Sequence, residues 1–224
     1  MQNSELLNEY NSLQAEMMAE SCIQVDSQDN IIGPVSKYKA HRDGGVRHRA
    51  FSALIFNQDN KLLIQKRSGD KITFPGVWAN TCCSHPLYVE DEMDSATHVG
   101  VANAAIRKLP QELGIDSSIF STKDFNLIGR FEYSSIADSG WIEHEIDYVI
   151  ATHADLEINP NKNEVSDYKW LSKDELEEFC SDESNVIAPW FLAIIELYLT
   201  KWWPKNGSDY PKYDLFIENV GVLK

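Results

Sequence analysis

Three short stretches of this chain hold the side chains able to do chemistry. His41 and His48 flank Gly44-Gly45, a turn free enough to fold one imidazole beside the other. Asn80-Thr81-Cys82-Cys83-Ser84-His85-Pro86 sets a thiol two residues from an imidazole in a segment stiffened by Pro86. In the run from Trp141 to Tyr148, W-I-E-H-E-I-D-Y, alternate residues of a strand share a face. Glu143 and Glu145 therefore project together while His144 points the other way. His41, His48, His85, Glu143 and Glu145 combine into a mixed nitrogen and oxygen site. That donor set suits Zn²⁺, Mn²⁺ or Fe²⁺ better than Ca²⁺, and differs from a four-thiolate zinc knot. The bland alternative is a solvated strand face bearing Glu143, Glu145 and Asp147, with both cysteines as buried filler.

The elements that must position these groups can be read from hydrophobic spacing. Leu6, Leu7, Tyr10, Leu13, Met17 and Met18 recur at helical intervals, predicting an amphipathic helix over residues 1–20. Next comes a strand from Cys22, a polar turn at residues 27–30 and a second apolar stretch that Gly33-Pro34 should break. Arg49 to Phe56 and Lys61 to Lys66 flank Asn57-Gln58-Asp59-Asn60 as a second hairpin. A loop is expected from Pro75 to about residue 94, then a helix from Ser95, as N-cap, to Leu113, with Pro110 kinking its last turn and Gly114 as stop. Strands are expected at Phe125 to Tyr133, Trp141 to Thr152 and Val165 to Trp170. Helices should follow near Ser172 to Cys180 and Pro189 to Trp203, ahead of an irregular tail. Strands and helices mixed without strict alternation predict an α/β (α+β) domain, a mixed sheet between helices.

Composition narrows the function classes. The chain has 224 residues, 43% of them hydrophobic, enough to bury a core without disulfide staples. With 20 bases against 35 acids the formal charge is -15, which argues against a nucleic-acid backbone binder and requires any anionic ligand to be met by a local basic pocket. No apolar run approaches the roughly 18 residues of a membrane-spanning helix, and the N-terminal segment has neither a basic region nor a cleavage motif. Cytoplasmic placement is the expectation, with no membrane partner and a monomeric state. The four cysteines show no C-x-x-C spacing and read as reduced thiols.

Arg107-Lys108-Leu109-Pro110-Gln111-Glu112-Leu113-Gly114-Ile115 resembles the close of a Nudix box, R-E-U-x-E-E-x-G-U with U apolar. Lys108 and Gln111 stand where two glutamates belong, leaving Glu112, so most of the charge that would hold hydrolytic Mg²⁺ is gone. With H-x₆-H-R-A-F-S at residues 41–52, K-I-T-F-P-G at 71–76, N-T-C-C-S-H-P at 80–86 and W-I-E-H-E-I-D-Y at 141–148, the chain resembles the type I isopentenyl-diphosphate Δ-isomerases over roughly residues 22–203. That resemblance implies one Nudix-fold domain: an N-terminal helix (1–20), a core (22–171), and C-terminal helices and tail (172–224). It implies interconversion of isopentenyl and dimethylallyl diphosphate in isoprenoid biosynthesis through a tertiary carbocation-like state. Position by position it places metal ligands at His41, His48, His85, Glu143 and Glu145, for one tightly bound Zn, Mn or Mg ion. The proton-transfer pair falls on Cys83 and Glu145, with Tyr133 as a relay and Trp190 presenting a π-face to the cation. The substrate diphosphate would be held by Lys37, Arg67, Lys71 and Ser84, with a Mg²⁺ bridging it to Glu112. The alternatives are a Nudix hydrolase acting on a nucleotide diphosphate, and a non-catalytic Nudix-like binding module.

Overall fold

The structure is a computed structural model and describes residues 7, 9–42, 44–94, 97–137, 139–205, 209–213 and 216–224. Among the described residues the expected N-terminal helix is not continuous: Leu7 is helical, the chain turns at residues 9 and 10, and helix resumes at Ser12. Helix α1 spans Ser12–Met17, opened by the Asn11 side chain accepting from the Leu13 N–H. Leu6 lies outside the described residues, and Leu13 faces solvent at 53% exposure while Gln14 is buried. The helix is rotated to bury an amide, a choice that apolar periodicity does not contain.

Strands β1 (Ser21–Val25) and β2 (Ile31–Ser36) form the expected antiparallel hairpin. Gly33-Pro34 does not break β2, because β2 is an edge strand and the N–H that proline lacks is not needed on its open side. A short helix α2 (Lys37–Ala40) leads to His41. Strands β3 (His48–Phe56) and β4 (Leu62–Arg67) pair only at Phe56 and Leu62, then part company. From that point β3 runs parallel to β8 and antiparallel to β6, while β4 takes β5 and β9. The expected loop after Pro75 carries two of these strands, β5 (Trp78–Ala79) and β6 (Cys82–Ser84). They are too short to leave a period in the sequence.

Helix α3 spans Val99–Leu113, with His98 at its N-cap position; Ser95, the expected cap, lies outside the described residues. The helix continues through Pro110 to Gly114, whose φ of 63° ends it; a Cβ there would also meet the Asn159 carbonyl oxygen at 2.2 Å. Strands β7 (Asn126–Ile136), β8 (Ile142–His153) and β9 (Val165–Leu171) follow as predicted. Helix α4 (Lys173–Ser181) starts with a capping box of Ser172 and Glu175. Helix α5 (Pro189–Ile194) passes into a π-turn at Ile195–Leu199 and stops short of Trp203. The tail is not irregular throughout, since β10 (Glu218–Leu223) pairs in parallel with β7. Its pattern is largely exposed, so only the open hydrogen-bonding edge of β7 calls for a strand there.

The path through the sheet runs β10-β7-β8-β3-β1-β2, and its two faces carry separate cores. Phe51, Ala53 and Ile55 of β3, with Ile146, Tyr148 and Ile150 of β8, pack against α3 through Val101, Ala105 and Leu109. Leu54, Phe56, Val149 and Ala151 face the other way, against Trp190, Phe191 and Ile194 of α5. Because β3 and β8 are covered on both sides, they read as almost continuous buried runs. The domain is thus the α+β sandwich expected, a mixed sheet between helical layers.

Candidate active site

Strand alternation decides which groups meet on the α5 face. His48 opposes Glu145 in the parallel β3–β8 ladder, and Glu143, Glu145 and Asp147 share that face at every second residue of β8. His41 ends α2, and His85 follows directly on β6. The three imidazole rings stand centroid to centroid at 4.8, 4.9 and 4.8 Å. Their ligand atoms, with those of Glu143 and Glu145, all lie within 4.8 Å of one another, and all five residues are buried.

Hydrogen bonding shows what this cluster is for. His41 Nδ1 lies 2.7 Å from the Lys37 carbonyl and His48 Nδ1 lies 2.7 Å from the Val46 carbonyl, so each ring donates from Nδ1. In the neutral imidazole Nε2 is then a bare lone pair. Yet Nε2 of His41 sits 3.0 Å from Glu143 Oε2, and Nε2 of His48 sits 3.4 Å from Glu145 Oε1. His85 Nε2 is 2.8 Å from the same Glu145 oxygen. Two acceptors face each other in a buried space only with a proton or a metal ion between them, and fixing the far ring nitrogen on a carbonyl is how metal-binding histidines are oriented. The donor set of three imidazoles and two carboxylates fits a divalent ion of the Zn²⁺ or Mn²⁺ type.

A pocket opens beside the cluster, lined among others by Lys37, Arg67, Lys71, Cys83, Ser84, Tyr133, Glu145 and Trp190. Cys83 and Cys82 are separated by the pleat of β6: Cys82 packs into the α3 core and Cys83 joins the α5 side. Cys83 and Glu145 approach from strands on either side of β3, opposite Ser52 and His48 respectively. Burial pushes the Cys83 thiol up to about 12, against the opposing pull of Arg67, whose Nη1 lies 3.6 Å from the sulfur. Burial also acts to raise Glu145, but hydrogen bonds and the charges of His48 and His41 outweigh it and hold the carboxyl near about 2. Tyr133 donates its hydroxyl to Glu145 Oε2 at 2.7 Å, and burial together with Glu145 raises that phenol well above its ordinary value. Trp190 is held by donating Nε1–H to Asn80 Oδ1 at 3.2 Å and by an edge contact from Phe74, with the Arg67 guanidinium 5.5 Å from its ring.

Three basic side chains, Lys37, Arg67 and Lys71, line this pocket. Arg67 is fixed by the carbonyls of Phe74 and Thr73, at 2.9 and 2.7 Å. Lys71 pairs with Glu164 at 2.6 Å, and Lys37 lies 3.9 Å from Glu20. Glu112 stands apart from the metal cluster, on α3. It is buried, accepts from Gln65 at 3.0 Å and pairs with Lys108 at 3.6 Å, though its charge still weighs on Cys83 and Lys71.

Sequence reasoning left several lining residues without a role. Asp147, noted only as part of a strand face, is buried, accepts from Ser52 Oγ at 2.7 Å, and has an unpartnered Oδ1. Asn80 was visible in its motif but not as the anchor of Trp190. Gln14, Met17 and Met18 reach the pocket only because α1 docks there, which no local pattern announces.

Residues 46–191 match the NUDIX domain family. Isopentenyl-diphosphate Delta-isomerase I of Camptotheca acuminata is 41% identical over 197 residues, covering 84% of each chain. Isopentenyl-diphosphate Delta-isomerase 1 of Bos taurus is 40% identical over 216 residues, covering 93% of each. Among solved structures, a Deinococcus radiodurans protein superposes with a TM-score of 0.59 at 18% identity, over 80% of this chain and 99% of its own, a likeness of fold.

Proposed function

Because the chain belongs to the NUDIX domain family and, within it, to the isopentenyl-diphosphate Delta-isomerases, we propose that the pocket beside the imidazole cluster is where it moves the double bond of a C5 diphosphate. The activity is isomerisation of isopentenyl to dimethylallyl diphosphate, in isoprenoid biosynthesis. The observation that carries the assignment to this pocket is the convergence there of a half-buried sulfur, a carboxylate and three basic side chains. Moving the alkene adds a proton at the terminal carbon and removes one from C2, with positive charge building at the tertiary carbon between.

Cys83 and Glu145 supply the two proton sites, from strands flanking β3. Glu145 delivers one proton and Cys83 takes the other from the opposite side; the reverse direction swaps their duties. At Cys83 burial outweighs the opposing pull of Arg67 and raises the thiol. Tyr133 relays or steadies the Glu145 proton through its hydrogen bond. The Trp190 ring faces the developing cation, a contact worth about 2 kcal/mol when desolvated. Lys37, Arg67, Lys71 and Ser84 take the diphosphate, offsetting charge that an acidic protein would otherwise repel. His41, His48, His85, Glu143 and Glu145 would hold a divalent ion, which would supply positive charge beside the acid–base pair, and Glu112 would help hold a Mg²⁺ that offsets the diphosphate charge.

All of these residues come from one chain, so the reading needs no second subunit, and free thiols at Cys22, Cys82, Cys83 and Cys180 suit a reducing, cytoplasmic setting. No helix among the described residues is long and apolar enough to cross a membrane. Proton NMR of isopentenyl diphosphate with the enzyme and Mg²⁺ in D₂O tests the reading. Dimethylallyl product carrying solvent deuterium is expected. Release of phosphate from nucleoside diphosphates without isomerisation would identify a hydrolase instead.

A further inference from the structure

Glu164 lies on the approach to β9, outside the imidazole cluster and not on the pocket wall, yet only 4% of it is exposed. Its carboxylate oxygens have different partners. Oε2 accepts from the Lys71 ammonium at 2.6 Å, and Oε1 accepts from the Gln14 amide of α1 at 2.6 Å. The same Gln14 amide also donates to the Asn163 carbonyl at 3.2 Å. The Glu164 backbone is committed as well: its carbonyl accepts from the Ser68 N–H at 2.9 Å and its N–H donates to Asn161 at 2.9 Å. Three segments distant in sequence therefore meet at one side chain.

Both of its side-chain partners line the substrate pocket, Lys71 beside Arg67, and Gln14 with Met17 and Met18 as the part of α1 that covers it. A buried glutamine is stable only with its amide satisfied, and Glu164 satisfies it. Burial, the neighbouring Arg67 and Lys108 push the Lys71 ammonium below its ordinary value, against the opposing charges of Glu164 and Glu112. We propose that Glu164 is a positioning residue that fastens the phosphate-binding Lys71 and helix α1 to a single carboxylate, so that one side chain both aims the lysine into the pocket and closes the helix over it. This rests on the reading that Lys71 holds the substrate diphosphate.

The test uses the metal-loaded enzyme and 3-methylbutyl diphosphate, a saturated analogue that binds but has no alkene to isomerise, followed by calorimetry with Mg²⁺. Glu164→Gln is expected to weaken binding by about 10-fold near pH 7, with a deficit relative to the parent enzyme that grows as pH rises, because the unsupported lysine loses its proton sooner. Glu164→Asp should restore part of the affinity. Gln14→Ala, which cuts only the helix arm, should leave affinity within about twofold and the pH profile parent-like, yet speed amide exchange across α1 and lower kcat with little change in KM. Lys71→Ala separates the two layers of inference: parent-like binding in that variant would remove the diphosphate role of Lys71 itself. Weak binding in Lys71→Ala beside binding in Glu164→Gln that is parent-like at every pH would overturn the positioning role alone. Should Glu164→Gln fail to fold, Gln14→Ala decides, since unchanged α1 exchange together with unchanged kcat rejects the tether.

Discussion

Cys82 and Cys83 are neighbours of the same chemistry, and the pleat of a three-residue strand gives them different lives. Cys82 is sealed among Ala53, Val101 and other residues of the α3 core, while Cys83 reaches the pocket beside Arg67. Replacing Cys83 with alanine should therefore lower kcat by at least about 10³-fold, whereas Cys82→Ala should keep kcat within about 10-fold and show its cost in the unfolding midpoint, as a buried side chain is truncated. Steady-state kinetics and thermal unfolding of the two variants side by side check this. Equal loss of kcat in both would contradict the assignment. The duplicated cysteine was plain in the sequence, but which of the pair faces substrate depended on the register of β6 against Ser52 and Ala53.

At the scale of elements, β3 is the organising strand. It aligns His48 with Glu145 on one edge and Ser52 with Cys83 on the other, so one register sets the proposed metal ligands and the proposed proton-transfer pair together. The neighbouring strand β7 contributes Tyr133, held opposite Glu145, and is covered on that same face where Tyr198 of the π-turn lies over Gly129. A Cβ at Gly129 would meet that ring at 2.2 Å. Gly129→Ala should destabilise the fold by about 1–3 kcal/mol through overpacking, seen as a lower midpoint in denaturant. A compensating Tyr198→Phe is not expected to rescue it, because the ring carbons as well as the hydroxyl obstruct the new methyl group.

Across the whole molecule, the metal cluster joins α2, β3, β8 and the end of β6, so an ion there braces segments that carry like acceptors toward one another. Stripping divalent ions with a strong chelator should abolish isomerisation and lower the thermal midpoint by several degrees, about what a few kcal/mol produces in a chain of this size. Zn²⁺ or Mn²⁺ should restore both. The Lys71–Glu164 pair makes acid sensitivity traceable. Burial alone would raise the Glu164 carboxyl, but Lys71 and, behind it, Lys108 hold it at about 2. An unfolded chain binds that proton near about pH 4.3, so the stabilisation is complete above this value and is lost as pH falls toward about 2. Acid titration of the folded protein against Glu164→Gln should show the variant flatter across that interval.

Local chemistry was legible in the sequence because it sits in short, dense runs. The imidazoles and the alternating Glu143 and Glu145 stood out by residue type and strand period, and the sandwich class by the mixture of periods, whereas the choice of Cys83 over Cys82 came only with the family resemblance. What lay outside sequence reach shares one cause, namely that it depends on contacts between segments far apart in the chain. Gln14 turns inward because Glu164 waits for it, β10 forms because the edge of β7 is open, and Asp147 is buried rather than solvated because α5 and its neighbours cover that face of β8. Side-chain spacing determines which groups can share a face, but only the packed sheet decides which faces are covered, and with what.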